Sequence, residues 1–185
     1  MNKMKPIFTV DAGEYLVGEK LEQRGLRVWV PSKDTGVDLL VTDQAIKRSV
    51  RLQVKMSRDY SDKDSGKIGA ETEANGFFSA WIERLRKDAA DFWVFVIVGA
   101  KLKKRQFLFI RPGDLFGRLS KLKVKKDRPQ HFFLWIAKDG RCWETEGLSS
   151  DDRSKIALGK YKHPLRDLTP IVRDWSAIEK MLGKP

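Results

Sequence analysis

The sequence holds one cysteine, Cys142, and two histidines, His131 and His163, so neither an intramolecular disulfide nor a structural zinc cluster is expected. Long apolar runs are also missing: the longest, Phe92 to Ala100, falls far short of the roughly 20 residues that span a bilayer. No apolar segment follows Met1-Asn2-Lys3-Met4-Lys5-Pro6, so no signal peptide is expected, and a reducing, cytoplasmic setting without membrane attachment fits. Acidic residues are scarce beside basic ones. There are 25 Asp and Glu against 37 Lys and Arg, a net charge of +12 and a pI near 9.8. That surplus points to a polyanionic partner. Ten Phe, six Trp and a 41% hydrophobic content exclude a merely disordered basic chain. At 185 residues a single domain is expected over 1–185, with a core at about 8–100 and a basic strand/loop and C-terminal extension at about 101–185.

Val10, Val17 and Leu21 recur at helical intervals, which predicts a helix from Val10 that stops at Gly25. Three strands should follow: Arg27 to Val30, Val37 to Thr42 and the alternating Val50 to Met56. Ser57 to Gly69 is polar and reads as a long loop. Phe77, Phe78, Trp81, Ile82 and Leu85 fit the stripe of a helix over Glu71 to Ala90. Phe92 to Val98 has the β-branched, apolar character of a strand covered on both faces, with Gln106 to Arg111 as its neighbour. A hairpin is expected from His131 to Thr145, turned at Lys138-Asp139-Gly140, then short helices near Asp151 and Trp175. These elements define an α/β fold with a mixed central sheet flanked by helices and a C-terminal β-hairpin and helix extension.

At 100° per residue, Leu21 falls about 20° and Val17 about 60° from Glu14, which puts Glu14 at the edge of the helix's core-facing stripe. A carboxylate there needs a partner or a purpose. A rim glutamate reaching water or a lysine meets that need as well as a site does. On the third strand Gln53 and Lys55 share a face, about 7 Å apart, opposite Val50, Leu52, Val54 and Met56. Asp38 opens the second strand, which can pair antiparallel with the third across the short Thr42 to Ser49 segment. Asp38, Gln53 and Lys55 then share a polar face, the form of a solvated sheet face as much as of a site.

A helical Glu, Gly-Val-Asp at a strand start and Gln-Val-Lys within an apolar strand, in that order, resemble the PD-(D/E)XK nuclease superfamily. The spacing from Glu14 to Gly25 is similar to that in archaeal-type Holliday junction resolvases and selects Glu14 over Glu19. The resemblance covers Asp11 to Ser57 and, more loosely, the segment through Val98. It implies a restriction endonuclease-like core and a metal-dependent endonuclease. Glu14, Asp38, Gln53 and Lys55 would be catalytic, and Glu14, Asp38, Gln53 and the Val54 carbonyl would hold Mg²⁺ or Mn²⁺. Gln53 stands where an acidic residue is commoner, which removes one negative charge from the metal cage and weakens it. A nucleic-acid-binding module that keeps the fold without the chemistry, or a subunit of a DNA repair or defence assembly, is the alternative.

Between Lys101 and Arg128, eleven Lys and Arg stand against two Asp. Lys101, Lys103, Lys104, Arg105, Lys121, Lys123, Lys125, Lys126 and Arg128 are the candidate nucleic-acid contacts, because phosphate neutralisation gives salt-dependent and largely sequence-independent attraction. A solvated basic face has the same composition. DNA is the expected partner, although charge alone does not separate it from RNA, and a homodimer would suit the cutting of both strands. Phe107 and Phe109 alternate as core residues of a strand do, Phe116 interleaves with the charge, and Cys142 is expected to be structural.

Overall fold

The computed structural model describes residues 10–32, 36–61, 66–99, 105–122 and 128–184. Helix α1 (Ala12–Gln23) is followed by β1 (Arg27–Trp29), β2 (Leu39–Thr42) and β3 (Ser49–Arg58), as the apolar spacing predicts. Helix α2 (Gly66–Glu71), β4 (Thr72–Ala80), α3 (Ile82–Leu85), β5 (Phe92–Val98) and β6 (Arg105–Ile110) come next. The chain then runs through α4 (Pro112–Leu119), β7 (Gln130–Ala137), β8 (Cys142–Glu144), α5 (Ser150–Ala157) and α6 (Trp175–Met181). The fold is α/β.

Five strands form a mixed sheet in the order β1-β2-β3-β5-β6, in which only the β3/β5 pair is parallel. Strand β5 explains its own composition. Phe92, Val94 and Val96 enter a core with Val17 and Leu21 of α1 and Ile178 of α6. Trp93, Phe95 and Ile97 enter a second core on the opposite face. Burying a strand on both sides favours an unbroken apolar run over alternation. Strand β6, beyond the expected core boundary near residue 100, completes this sheet, so the core extends further along the chain than its strand meander suggests.

The expected helix over Glu71 to Ala90 is instead β4, a connecting residue and the short α3. Ala74, Phe78 and Ala80 point into the second core, with Phe77 and Ser79 on the other side. That is a period of two, and Phe77, Phe78, Trp81, Ile82 and Leu85 happen to satisfy a helical period as well. Packing decides between them. A methyl group at Gly76 would lie 2.7 Å from Ile97 Cγ1, so the glycine lets β4 cross directly over β5.

Strand β4 pairs antiparallel with β7, which pairs with β8, giving a separate three-stranded sheet. The expected C-terminal hairpin is therefore two strands of a second sheet and not an appendage. Helix α5 covers part of this sheet's outer face through Ile156, beside Trp135, Ala137 and Trp143. The expected loop over Ser57 to Gly69 is shortened by β3, which continues to Arg58, and by α2. Met56, placed by alternation on the apolar face, is exposed because β3 runs past the start of α1 there. Among the described residues no helix is long and apolar enough to cross a membrane.

Candidate active site

The polar face of β3 is the floor of a cleft. The second sheet covers this side of β3 near Ser57, whose Oγ accepts the Phe77 N–H at 3.0 Å. Where β4 gives way to Trp81 and α3, the cover opens and leaves a cleft of about 980 Å³. Asp11, Glu14, Asp38, Gln53, Val54 and Lys55 line it, with Trp93 beside Gln53 on the neighbouring strand β5 and Ser79, Trp81, Glu83, Arg84, Lys87 and Asp88 from the opposite wall. Glu14, Asp38, Gln53, Val54 and Lys55 thus come together from three elements that are distant in sequence.

Asp38 is fixed by main-chain geometry. Its N–H donates to Leu52 O at 2.8 Å, continuing the β2/β3 ladder by one residue. Its Oδ2 accepts the Val54 N–H at 2.7 Å and an N–H of the Gln53 amide. Gln53 is 8% exposed, so that amide bond satisfies a polar group that would otherwise be costly to bury. A half-turn of the amide would exchange its nitrogen and oxygen, so the same side chain can give a donor to Asp38 or an oxygen to a cation.

Glu14 reaches the cleft from the first turn of α1. A methyl group at Gly13 would lie 3.0 Å from Met56 Cβ and 3.3 Å from Val54 Cγ1, so glycine lets this turn rest on β3. Glu14 also closes a capping box with Asp11, accepting the Asp11 N–H at 3.1 Å. The partner required for an edge carboxylate is therefore partly its own helix. Burial raises the Glu14 pKa above its usual value; the Asp11 N–H opposes the rise, the carboxylates of Asp38 and Asp11 add to it, and Lys55 opposes it. Glu14, Asp38 and Lys55 are thus within electrostatic reach of one another.

Lys55, half-buried, places its ammonium 5.4 Å from the centroid of the Trp93 ring. Trp93 is in turn held by its indole N–H, which donates to Asp88 Oδ2 at 3.1 Å. The sequence reading missed both residues. The turn Asp88-Ala89-Ala90 before an apolar strand was the available signal, hidden by the helix assigned across it. Trp81, assigned there to a buried stripe, is 41% exposed in the cleft.

Among the described residues no three His, Cys, Asp or Glu side chains gather as a metal-binding group. The hard donors among the expected site residues are the carboxylates of Glu14 and Asp38, the Gln53 amide oxygen and the Val54 carbonyl, a set that suits an oxygen-seeking dication such as Mg²⁺ or Mn²⁺ and not a thiophilic one. Cys142 is fully buried, and burial, with Asp167 adding to it, pushes its thiol up to about 12, so it is protonated at neutral pH.

Of the basic candidates, Lys101, Lys103, Lys104, Lys123, Lys125 and Lys126 lie outside the described residues. Arg105 lies 3.9 Å from Glu19, and Lys121 and Arg128 are exposed. Phe109 is buried and packs on Trp175 at 4.7 Å between ring centroids, and Phe107 packs on the same ring at 5.1 Å. Both are core residues, as their alternation suggests. Compared with protein-family models, with curated proteins and with solved structures, the chain matches none.

Proposed function

We propose that the protein is a metal-dependent endonuclease that hydrolyses DNA phosphodiester bonds in the cleft over β3. The observation that carries this reading is the Asp38 carboxylate, held by the Val54 N–H and Gln53 in a cleft that also contains Glu14 and Lys55. Asp38, Glu14 and the Gln53 oxygen would hold Mg²⁺ or Mn²⁺, with the Val54 carbonyl as a further donor. The bound ion would supply Lewis-acid stabilisation of the phosphate and a more acidic water. Lys55, steadied over Trp93, would orient the attacking water by hydrogen bonding and offset the charge that builds on the phosphate oxygens. Arg84 and Lys87 on the facing wall add positive charge along the path of the backbone. A twofold dimer would present a second cleft to the opposite strand of a duplex.

A binding module without chemistry is the second reading. It is favoured by Gln53, which leaves two acidic side chains for the metal where an Asp or Glu would make three. Nicking of supercoiled DNA separates the two. With Mg²⁺ or Mn²⁺, wild type should nick and Lys55→Ala should lose at least about a hundredfold in rate, with DNA retention on a filter kept because one of many positive charges is removed. DNA retention at low salt without nicking on duplex, junction, flap or single-stranded substrates, and without Mn²⁺ binding by calorimetry, would replace the hydrolase with the binding module.

A further inference from the structure

The outward face of the second sheet carries a row of aromatics that neither core uses. Gly76, Phe78 and Ala80 face inward, so Phe77, Ser79 and the extended Trp81 project to the other side at steps of about 7 Å. In the neighbouring strand Phe133 stands opposite Phe77, and His131 opposite Ser79. The Phe77 ring lies 5.1 Å from Phe133 and 5.2 Å from His131, and Tyr60 meets the edge of Phe133 at 6.1 Å. Ser79 and Trp81 also line the cleft, so the row runs from Tyr60 to the wall facing Lys55.

An arginine guards each end. The Arg58 guanidinium sits 4.5 Å from the centroid of Tyr60, and that of Arg84 5.9 Å from Trp81. Packing does not require this row, because Phe78 and Phe132 already fill the inner face at 5% and 0% exposure. Trp81, at 41% exposure, forgoes much of the burial that usually justifies a tryptophan. Aromatic faces flanked by guanidinium groups are the chemistry that stacks on nucleobases and pairs with the intervening phosphates. A duplex keeps its bases stacked on each other and offers them no free face. An apolar protein surface would have no use for the arginines or for a chain of net charge +12.

We infer that this row is a stacking platform for the unpaired bases of a DNA single strand, which it leads into the cleft. The inference rests on the nuclease reading for what happens in the cleft, and on the row alone for binding.

The test measures anisotropy of a labelled oligothymidylate and of a duplex of equal charge, with the full chain in EDTA so that no cleavage intervenes. Wild type should prefer the single strand. Trp81→Ala and, at the other end, Tyr60→Ala should each weaken oligothymidylate binding by roughly tenfold and weaken duplex binding by much less. Trp81→Phe should keep the affinity and lose part of the tryptophan quenching on binding. Wild-type oligothymidylate affinity in both alanine variants would overturn the platform, whether or not nicking with Mg²⁺ is intact. Platform-dependent binding by a protein that never nicks would overturn the hydrolase alone. Failure to bind either DNA at low salt would overturn both.

Discussion

The main-chain N–H of Val54 donates to Oδ2 of Asp38 at 2.7 Å. A carboxylate held by the backbone of the neighbouring strand cannot drift with solvent, and Asp38 is held a second time through its own N–H to Leu52 O at 2.8 Å. The strand pair that builds the sheet therefore also aims the acid. Such preorganisation lets a charged group act without reorganisation when substrate arrives.

Replacing Asp38 by Asn tests the role of that acid. The Val54 N–H and the Gln53 amide both donate to Oδ2, so the variant's amide oxygen in that place keeps both hydrogen bonds, and a cost of no more than about 1 kcal/mol in stability is expected. Mn²⁺ binding, read by titration calorimetry, and nicking of supercoiled DNA should disappear together while thermal unfolding stays cooperative. Nicking at the wild-type rate would remove Asp38 from the mechanism.

Glu14 holds two positions at once, and two substitutions separate them. Glu14→Gln can still accept the Asp11 N–H, because glutamine serves a capping box as glutamate does, so stability should change by less than about 0.5 kcal/mol. Glu14→Ala loses the box and should cost about 1 kcal/mol by denaturant unfolding. Both should weaken Mn²⁺ binding. Since burial raises the Glu14 pKa, wild-type metal affinity should fall on acidification at a higher pH than an ordinary glutamate would give, and Glu14→Gln should lose that component. Equal Mn²⁺ affinity in all three proteins would leave Glu14 as a cap alone.

The site was more legible than the sheet that walls it. Val50, Leu52 and Val54 alternate with Arg51, Gln53 and Lys55, so strand periodicity alone puts the two polar candidates on one side. Asp38 then follows from antiparallel pairing. The facing wall was hidden because Phe77 to Leu85 satisfies two periods, and pairing with β7, far along the chain, together with contact with Ile97 selects the strand. Long-range packing overrides local pattern in this way wherever apolar residues crowd together. The exposure of Trp81 depends on that same crossing, and the contact of Lys55 with Trp93 depends on the parallel pairing of β3 with β5, which places Trp93 beside Gln53.

Gly76 is where the two sheets touch, and Gly76→Ala should show it. The added methyl would lie 2.7 Å from Ile97 Cγ1, 2.8 Å from Ile97 Cδ1 and 2.8 Å from Phe78 Cε2, all within the packed core. Overpacking of this kind costs roughly 1–3 kcal/mol. Adding Ile97→Ala opens the contested space, so the double variant should be less destabilised than the sum of the single ones in urea. Strict additivity would mean that β4 does not rest on Ile97.

Glu144 gives the fold a pH dependence of its own. It is 2% exposed at the end of β8, pairs with Arg166, and accepts the Glu146 N–H at 2.7 Å. Burial outweighs the attraction of Arg166 and pushes its carboxyl from the usual 4.5 up to about 6. The folded state thus holds this proton more tightly than the unfolded chain does. Its contribution is fully present below the unfolded pKa near 4.5 and is lost as pH rises through about 6. A shift of that size amounts to about 2 kcal/mol. Asp91, Asp139 and Asp174 have lowered pKa values and push stability the other way, so the measurement has to be a difference. Glu144→Gln keeps the size and the acceptor oxygen but cannot titrate. Denaturant unfolding across this range should show wild type losing about 2 kcal/mol relative to Glu144→Gln between acid and neutral pH. A flat difference would mean that Arg166 compensates the burial in full and that Glu144 titrates as it does in the unfolded chain.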